Sequence, residues 1–358
     1  MLWKSSQPET LTMPTIATPD DARYQEHILQ GVSRTFALTI PQLPPTLRAV
    51  IGNAYLLCRI VDTVEDDSAL TLGQTHQLAG MFTEVVSGST DAEIFAQTLY
   101  PLLSEHTIPA EHDLIKNTSA VIRMTHSFNT VQRQALERCI RIMSQGMAAY
   151  QEKESLSGLE NMAAMDLYCY HVAGVVGEML TELFCDYSPE INQHKPVLMK
   201  LAVSFGQGLQ MTNILKDIWE DRKRGACWLP RDIFLERGFD LDNLQPGRFE
   251  QGFHDGLGSL IGIAKAHLHN AIRYTCLIPS HETGIRRFCL WAIGMAVLTL
   301  NKINRKRDFT AGTQVKISRR SVRATVLITS LLVRQDWALK KIFTLASRNL
   351  PEVKITEL

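Results

Sequence analysis

The chain lacks features that would assign it to several common classes of protein. Its 358 residues carry 37 basic and 37 acidic side chains, a formal net charge of zero. Because nucleic-acid binding needs a basic face, we expect no nucleic-acid partner. There are seven cysteines but no Cys-x-x-Cys pair. We expect these thiols to be reduced and mostly buried, which predicts a cytoplasmic protein.

Long apolar runs are also missing. The longest uncharged apolar stretch, residues 288–300, has thirteen residues, whereas a membrane-spanning helix needs roughly 20. The first twenty residues lack the charged-then-apolar layout of a signal peptide. We therefore expect no transmembrane segment and a buried helix at 288–300. Peripheral association with a membrane stays open.

Strand signals are scarce, and no Asn-Gly hairpin turn occurs. Apolar residues instead recur at three- and four-residue spacing, which is typical of helices. The segments are 49–61, 115–124, 136–150, 197–214, 260–272 and 322–333. No linker is long enough to separate two domains. The sequence predicts one all-α domain of about a dozen helices over residues 21–345, with tails at 1–20 and 346–358. We expect a monomer rather than an oligomer.

What the sequence does contain is two acidic clusters 155 positions apart. Asp62 and Asp66 stand in the first cluster, and Asp217 and Asp221 in the second. Residues four apart share a helix face, so each pair of carboxylates repels unless a cation relieves it. Mg²⁺ suits such oxygen ligands, since it binds through one or two carboxylates plus substrate phosphates. A solvated acidic face is the alternative, although both clusters follow apolar helical runs.

Polar side chains extend each pair into a stripe along its helix. Tyr55 and Arg59 precede the first pair, and Gln210 and Asn213 precede the second, with Lys216 on the flank. Carboxylates for Mg²⁺ and cations for phosphate oxygens match a metal-bridged diphosphate. The alternative is a set of salt bridges between Arg59 or Lys216 and these acids.

Three further segments offer polar groups. Ser33 and Arg34 could contact diphosphate, although a serine in this position more often caps a helix. Tyr168 lies on an otherwise apolar helix, where packing is the commoner role. The basic residues 304–307 and 315–320, which include Lys316, could hold an anionic cofactor or form a solvated face.

These pieces together resemble the squalene/phytoene synthase family of head-to-head prenyl-diphosphate synthases, and its squalene synthase branch most. The matching segments are SRTFALTIP (33–41), YLLCRIVDTVEDD (55–67), DLYCYHVAGVVGE (166–178), QMTNILKDIWEDRKRGACWLP (210–230) and VKI (315–317). The resemblance implies an all-α isoprenoid synthase fold with a central cavity. It also implies condensation of two farnesyl diphosphates through presqualene diphosphate, then reduction by NADPH.

The resemblance also implies roles for individual residues. Its metal ligands fall on Asp62, Glu65, Asp66, Asn213, Asp217 and Asp221. Its substrate contacts fall on Ser33, Arg34, Phe36, Tyr55, Arg59, Gln210, Asn213 and Lys216. Its cofactor contacts fall on Arg34, Arg59, Lys216 and Lys316. Tyr168 matches the tyrosine that handles the proton of the first half-reaction, acting with the four aspartates. Phe36, Phe205, Phe288 and Trp291 are candidates for an apolar wall.

The sequence departs from the family pattern in two places, and other functions stay open. Lys216 and Ser318 stand where eukaryotic relatives have arginines, which puts the fine geometry of cofactor binding in doubt. A non-reducing relative that makes dehydrosqualene or phytoene is the nearest alternative. A non-catalytic isoprenoid-binding protein would have lost its metal carboxylates, and a cyclising terpene synthase has no need of the SRTF segment or Lys316.

Overall fold

The helical content of the chain matches the sequence prediction. The computed structural model describes residues 16–33, 35–151 and 155–353. Within these ranges the backbone forms seventeen α-helices and no β-strand beyond one isolated bridge between Leu159 and Pro230. The helices are α1 (Pro19–Val32), α2 (Phe36–Thr39), α3 (Pro45–Asp66), α4 (Leu72–Ser87), α5 (Ala92–Leu99), α6 (Pro109–Lys116), α7 (Thr118–Ser127), α8 (Thr130–Gln151), α9 (Met162–Cys169), α10 (Val175–Tyr187), α11 (Pro189–Asn192), α12 (Lys195–Lys223), α13 (Arg231–Leu235), α14 (Gln251–Leu277), α15 (Thr283–Arg305), α16 (Arg319–Leu332) and α17 (Asp336–Ser347).

The helix count exceeds the dozen expected because several helices are single turns or are interrupted. Residues 115–124, predicted as one helix, divide at Asn117 between α6 and α7. The Asn117 side chain donates to the Asp113 carbonyl at 2.9 Å. Such side-chain bonds to the backbone compete with helix continuation. The predicted limits of the domain, 21 and 345, stay predictions.

Two groups of buried apolar side chains hold the helices together. One joins α3, α8 and α10, and the other joins α12, α14 and α15. Val172 and Phe205 pack against both groups. All seven cysteines are free, and six of them are buried, which confirms their predicted role as small hydrophobic residues.

The stretch predicted as a buried helix lies in α15. This helix is long and apolar enough to span a membrane by length and composition, and no other helix in the described ranges is. However, 61% of its most apolar part is buried inside the protein. A core helix passes the same test of length and composition, and the burial of α15 is typical of such a helix.

Both acid-bearing helices end at their acidic motifs. Asp66 is the last residue of α3, and Asp217 and Asp221 lie in the last two turns of α12. The last turn of α3 holds no basic residue. A helix C-terminus has a negative partial charge, so carboxylates there are disfavoured. The backbone therefore adds to the need for a cation at this place.

Candidate active site

A single arginine joins the two acidic motifs across the fold. The Arg224 guanidinium donates to Asp66 Oδ1 at 2.8 Å and to Asp221 Oδ1 at 2.6 Å. The ends of α3 and α12, 158 positions apart at these residues, therefore meet within the reach of one side chain. Arg224 had no role in the sequence analysis. Its position in a basic run after an acidic motif was the only signal that could have suggested one.

The first motif is electrostatically strained. Burial, with repulsion from Asp66, raises the pKa of Asp62 from 3.8 to about 7. The Arg59 guanidinium opposes this shift only weakly, because its nearest nitrogen lies 3.8 Å from the Asp62 carboxylate. Arg59 is instead paired with Glu111 on α6, a partner that the sequence analysis missed. Asp62 therefore shares Arg59 with Glu111, and its own ion pair with Arg59 is the longer of the two.

The second motif shows the same direction of shift. Burial raises the pKa of Asp217, although Lys216 opposes it from 3.0 Å. Burial also raises the pKa of Asp221, against the opposing effect of Arg224. The salt-bridge alternative is therefore partly realised at Lys216. It does not neutralise the group as a whole, because three carboxylates still have raised pKa values.

One carboxylate of the first cluster serves the fold instead. Asp67 is 6% exposed and accepts bonds from Ser104 N at 2.8 Å and Thr107 Oγ1 at 2.6 Å. Its burial raises the pKa, but the hydrogen bonds outweigh this and hold the pKa of Asp67 below its ordinary value. Asp67 is therefore a stable, ionised anchor for the segment that follows α3.

Tyr168 is buried beside both acidic motifs. Its ring stacks on Trp228 with centroids 4.3 Å apart and planes at 5°, and it meets Tyr150 edge-on at 5.1 Å. Burial, with the negative charges of Glu65, Asp221 and Asp66, raises the pKa of Tyr168 well above 10. The phenol therefore stays protonated at neutral pH. Packing and chemistry are not exclusive here, since the ring packs while the phenol lies near enough to these acids for their charges to raise its pKa.

The backbone below Tyr168 is irregular. The turn Tyr170–Gly174 is π-helical and separates α9 from α10. Such a turn inserts one residue into a helix and is frequent at functional sites. Because this turn joins α9, which bears Tyr168, to α10, it sets the direction of α9 and with it the orientation of the phenol.

The segment before α3 supplies a second edge of the site. Tyr55 donates to the Val32 carbonyl at 3.0 Å, and its ring contacts that of Phe36 at 5.0 Å. Ser33 Oγ accepts from Phe36 N, the first backbone amide of α2, at 2.9 Å, and the Ser33 backbone amide caps the end of α1. Arg34 lies outside the described residues, and its predicted role stays a prediction.

Of the four residues predicted to form an apolar wall, two meet at the site. The ring centroids of Phe36 and Phe288 lie 6.2 Å apart, and Phe36 is also the ring that packs against Tyr55. Phe205 packs edge-on against Tyr274 at 5.8 Å, and Trp291 is buried in the second core group. Phe288 is likewise buried in the first core group, so the part that Phe205 and Trp291 play in an apolar wall stays a prediction.

The second helix presents its predicted polar residues at one side. Gln210 is half-buried and lies two turns before Asp217, and Asn213 is exposed and lies one turn before it. Lys316 is also exposed and follows a short turn that is tied to α12. Glu220 accepts from Gly312 N at 3.0 Å, and the Trp219 indole donates to the Phe309 carbonyl at 2.5 Å. These contacts hold the base of the Lys316 loop against the acid-bearing helix.

The donor set fits Mg²⁺ without forming a complete cage. Among the described residues no three metal-binding groups of the His, Cys, Asp and Glu type converge. The carboxylates available are oxygen donors on two facing helix ends, and burial, with repulsion between neighbouring acids, raises the pKa of Asp62, Asp217 and Asp221. Mg²⁺ usually takes one or two carboxylates and completes its shell with phosphate and water. An open set of this kind suits that chemistry.

We expect Arg224→Gln to weaken the protein most when no divalent cation is present. The substitution removes the charge between Asp66 and Asp221 and leaves their repulsion. The Arg224–Asp66 pair is about half exposed, whereas the Asp221 side chain is only 9% exposed. Because Arg224 itself is half exposed and screened by solvent, the loss should be about 1 kcal/mol, or roughly 2 °C in Tm. Thermal melts with EDTA and with MgCl₂ at matched ionic strength measure it.

Magnesium should restore more of the Tm in Arg224→Gln than it adds to the unmodified protein. The matched control is Lys223→Gln, which removes an exposed charge one position away. An equal response to Mg²⁺ in both variants would contradict the bridging role of Arg224.

Comparison with known proteins agrees with this geometry. A family model described as squalene/phytoene synthase matches residues 29–321. A squalene synthase of Eremothecium gossypii is 30% identical over 76% of this chain. The chain spans 60–63% of the length of the first curated squalene synthases that it matches.

Two solved structures share the fold. A ligand complex of a protein named TcSQS has a TM-score of 0.74 at 23% identity, covering 94% of both chains. A dehydrosqualene synthase with a bound ligand has a TM-score of 0.64 at 19% identity, covering 88% of this chain and 97% of the other. Since the family model covers most of the sequence and the fold agrees, this chain belongs to the squalene/phytoene synthase family.

Proposed function

We propose that this protein is a squalene synthase. It joins two farnesyl diphosphates head-to-head to give presqualene diphosphate, and then replaces the second diphosphate with a hydride from NADPH. The observation that carries the proposal is the meeting of the two acidic motifs at Arg224 beside the buried phenol of Tyr168. This arrangement provides oxygen donors, a cation and a proton-bearing group in one place.

The metal and the cofactor would be held by different parts of the site. Asp62, Asp66, Asp217 and Asp221, with Glu65 and Asn213 beside them, would hold Mg²⁺. Bound there, Mg²⁺ neutralises diphosphate charge and makes it a better leaving group. Lys316, with Arg34, Arg59 and Lys216, would hold NADPH, which would supply the hydride.

The protein's own groups would do the remaining work. Lys216 and Arg59 contribute positive charge toward diphosphate oxygens. The phenol of Tyr168, protonated at neutral pH, would donate to a departing diphosphate and pass on the proton that the second prenyl unit loses on cyclopropane formation. Phe36 and Phe288 would exclude water from the prenyl chains. The Ser33 and Tyr55 hydroxyls, with Gln210, would position the diphosphate ends.

The decisive experiment is product identification. Purified protein is incubated with farnesyl diphosphate and MgCl₂, with and without NADPH, and the extracted lipids are analysed by gas chromatography and mass spectrometry. We expect squalene only with NADPH. Dehydrosqualene or phytoene formed regardless of NADPH would favour the non-reducing alternative. No consumption of farnesyl diphosphate would favour a binding protein.

Lys316→Ala is expected to separate the two half-reactions. The side chain is exposed on a loop tethered to α12, where it can contact an NADPH phosphate. One lost charged hydrogen bond corresponds to about 1.5–3 kcal/mol, so the NADPH concentration for half-maximal squalene formation should rise about tenfold or more. Formation of presqualene diphosphate should stay within about twofold. We measure both products against NADPH concentration.

The control for this variant is Lys200→Ala, which removes an exposed lysine of α12 that lies outside both basic runs. It should leave both half-reactions unchanged. An equal loss of both steps in Lys316→Ala would make Lys316 a structural residue and remove it from the cofactor site.

A further inference from the structure

The last two described helices expose an apolar surface that the chemistry above does not use. Large apolar side chains on α16 and α17 are open to solvent, although each helix also has buried residues. These are Leu327 (61% exposed), Ile328 (44%), Leu331 (71%), Trp337 (69%) and Leu345 (53%). Contiguous exposed apolar residues of this kind mark an interaction surface. We call the outer side of α16 and α17 the C-terminal face.

The exposed residues follow helical spacing, so they belong to continuous stripes. On α16 and just beyond its end, Arg320, Arg323, Leu327, Leu331 and Arg334 recur every three or four positions, and all are exposed. The opposite side of the same segment points inward. Thr329 and Val333 are buried there. The inner side of α16 thus packs on the core, and its outer side carries exposed apolar residues between basic ones.

The second helix repeats the pattern. On α17, Trp337, Lys341, Thr344 and Arg348 form the exposed stripe, whereas Leu339 and Phe343 are buried. Leu331 and Trp337 flank the short turn between the two helices. The apolar part of the face therefore lies at this turn, with basic residues on both sides of it.

The charge of this segment contrasts with that of the whole chain. Residues 319–348 contain seven basic side chains and one acidic side chain, in a protein whose formal net charge is zero. The acid, Asp336, is paired with the buried Arg286. None of the seven basic residues forms an ion pair with a described residue. Unpaired cations around an exposed apolar centre fit an anionic surface.

A groove beside the face has the same chemistry. It has a volume of about 620 Å³ and lies between α15, α16 and α17. Leu298, Ile317 and Leu345 contribute apolar lining, and Lys302 and Arg305 contribute cations. The apolar lining suits the acyl chains of an anionic lipid, and the cations suit its headgroup.

We propose that the C-terminal face docks on the surface of an anionic lipid bilayer. Amphipathic helices with basic flanks lie in the interface, with apolar side chains in the acyl boundary and cations at the headgroups. Exposed tryptophan is favoured at that depth. A second copy of the chain is a poorer occupant, because two faces of like charge repel. The proposal does not depend on which product the enzyme makes.

Vesicle sedimentation with the full chain tests the charge component. We expect binding to phosphatidylcholine vesicles that contain about 30% phosphatidylglycerol, and we expect this binding to weaken as the salt concentration rises. Arg323→Gln with Arg334→Gln should lower the partition coefficient roughly fivefold per charge. Lys200→Gln, an exposed lysine on α12, should have no effect.

The apolar component has its own variants. Leu331→Gln should reduce binding more than tenfold, whereas Ile94→Gln, which changes a 55%-exposed residue on α5, should not. Vesicles with brominated acyl chains should quench tryptophan emission in the unmodified protein, and less in Trp337→Phe. Circular dichroism melts check that every variant is folded.

Three outcomes would overturn the proposal. One is no vesicle binding by the unmodified protein at low salt. Another is binding that Lys200→Gln and Ile94→Gln reduce as much as the variants of the face do. The third is a concentration-dependent dimer, detected by light scattering and lost in Leu331→Gln, without vesicle binding. That result would assign the face to a second copy of the chain.

Discussion

Asp62→Asn is expected to lower the rate of farnesyl diphosphate consumption at least about 100-fold while raising thermal stability. The loss follows from the proposed function, in which Asp62 helps to hold Mg²⁺ and the metal contributes several kcal/mol of charge stabilisation. The gain follows from the electrostatics of the folded state. The pKa of Asp62, about 7 when folded, lies above the ordinary 3.8. Stability therefore falls as pH rises through this window, and an uncharged amide avoids the fall.

The expected stabilisation is modest because the Asp62 side chain is 31% exposed. Solvent screening reduces the effect to about 1 kcal/mol, or roughly 2 °C, at neutral pH. Melting curves in EDTA and steady-state rates at saturating Mg²⁺ measure the two effects. Near-normal turnover in the variant would remove Asp62 from the metal site.

Asp67→Asn is the matched control, because it makes the same chemical change five residues away with the opposite stability outcome. The pKa of Asp67 is lowered by hydrogen bonds in the folded state. Its contribution to stability is therefore present above the unfolded pKa and is lost as pH falls through the folded one. We expect Asp67→Asn to melt at a lower temperature than the unmodified protein. It should retain turnover when assayed well below its Tm.

Tyr168→Phe is expected to abolish most of the first half-reaction, with a loss of about 10²–10⁴-fold in formation of presqualene diphosphate. The phenyl ring should preserve the stack on Trp228, so folding and binding of farnesyl diphosphate should persist. Only the hydroxyl is removed, whose pKa is raised by burial and by the charges of Glu65, Asp221 and Asp66. Rapid-quench assays of the intermediate, together with equilibrium binding of a farnesyl diphosphate analogue, separate chemistry from binding.

Tyr150→Phe provides the control for Tyr168→Phe. Tyr150 is the neighbouring ring, and its hydroxyl donates to the Ala164 carbonyl at 3.0 Å. This change should cost a little stability and leave the rate of the intermediate step within about threefold, because a neutral hydrogen bond contributes about 1 kcal/mol. If Tyr168→Phe forms presqualene diphosphate at the normal rate, the residue has only a packing role.

The helical class and the acid-bearing stripes were predictable from the sequence, because both follow from local geometry. Residues three and four apart lie on one helix face whatever the rest of the fold does. That rule places Asp62 with Asp66 and Asp217 with Asp221 before any tertiary contact is known. It also identifies the apolar faces of α3 and α12. The scarcity of strand signals excluded a sheet in the same way.

The tertiary structure decided which partners these residues have. Arg224 reaches an acid 158 positions away, and Arg59 pairs with Glu111 across 52 positions. Trp228 supplies the stack for Tyr168. Ion pairs and ring contacts of this kind depend on how distant helices pack, and helical periodicity says nothing about that. The same packing buries one side of α16 and α17 and leaves the apolar, basic C-terminal face exposed, which the sequence pattern alone did not distinguish from a core helix.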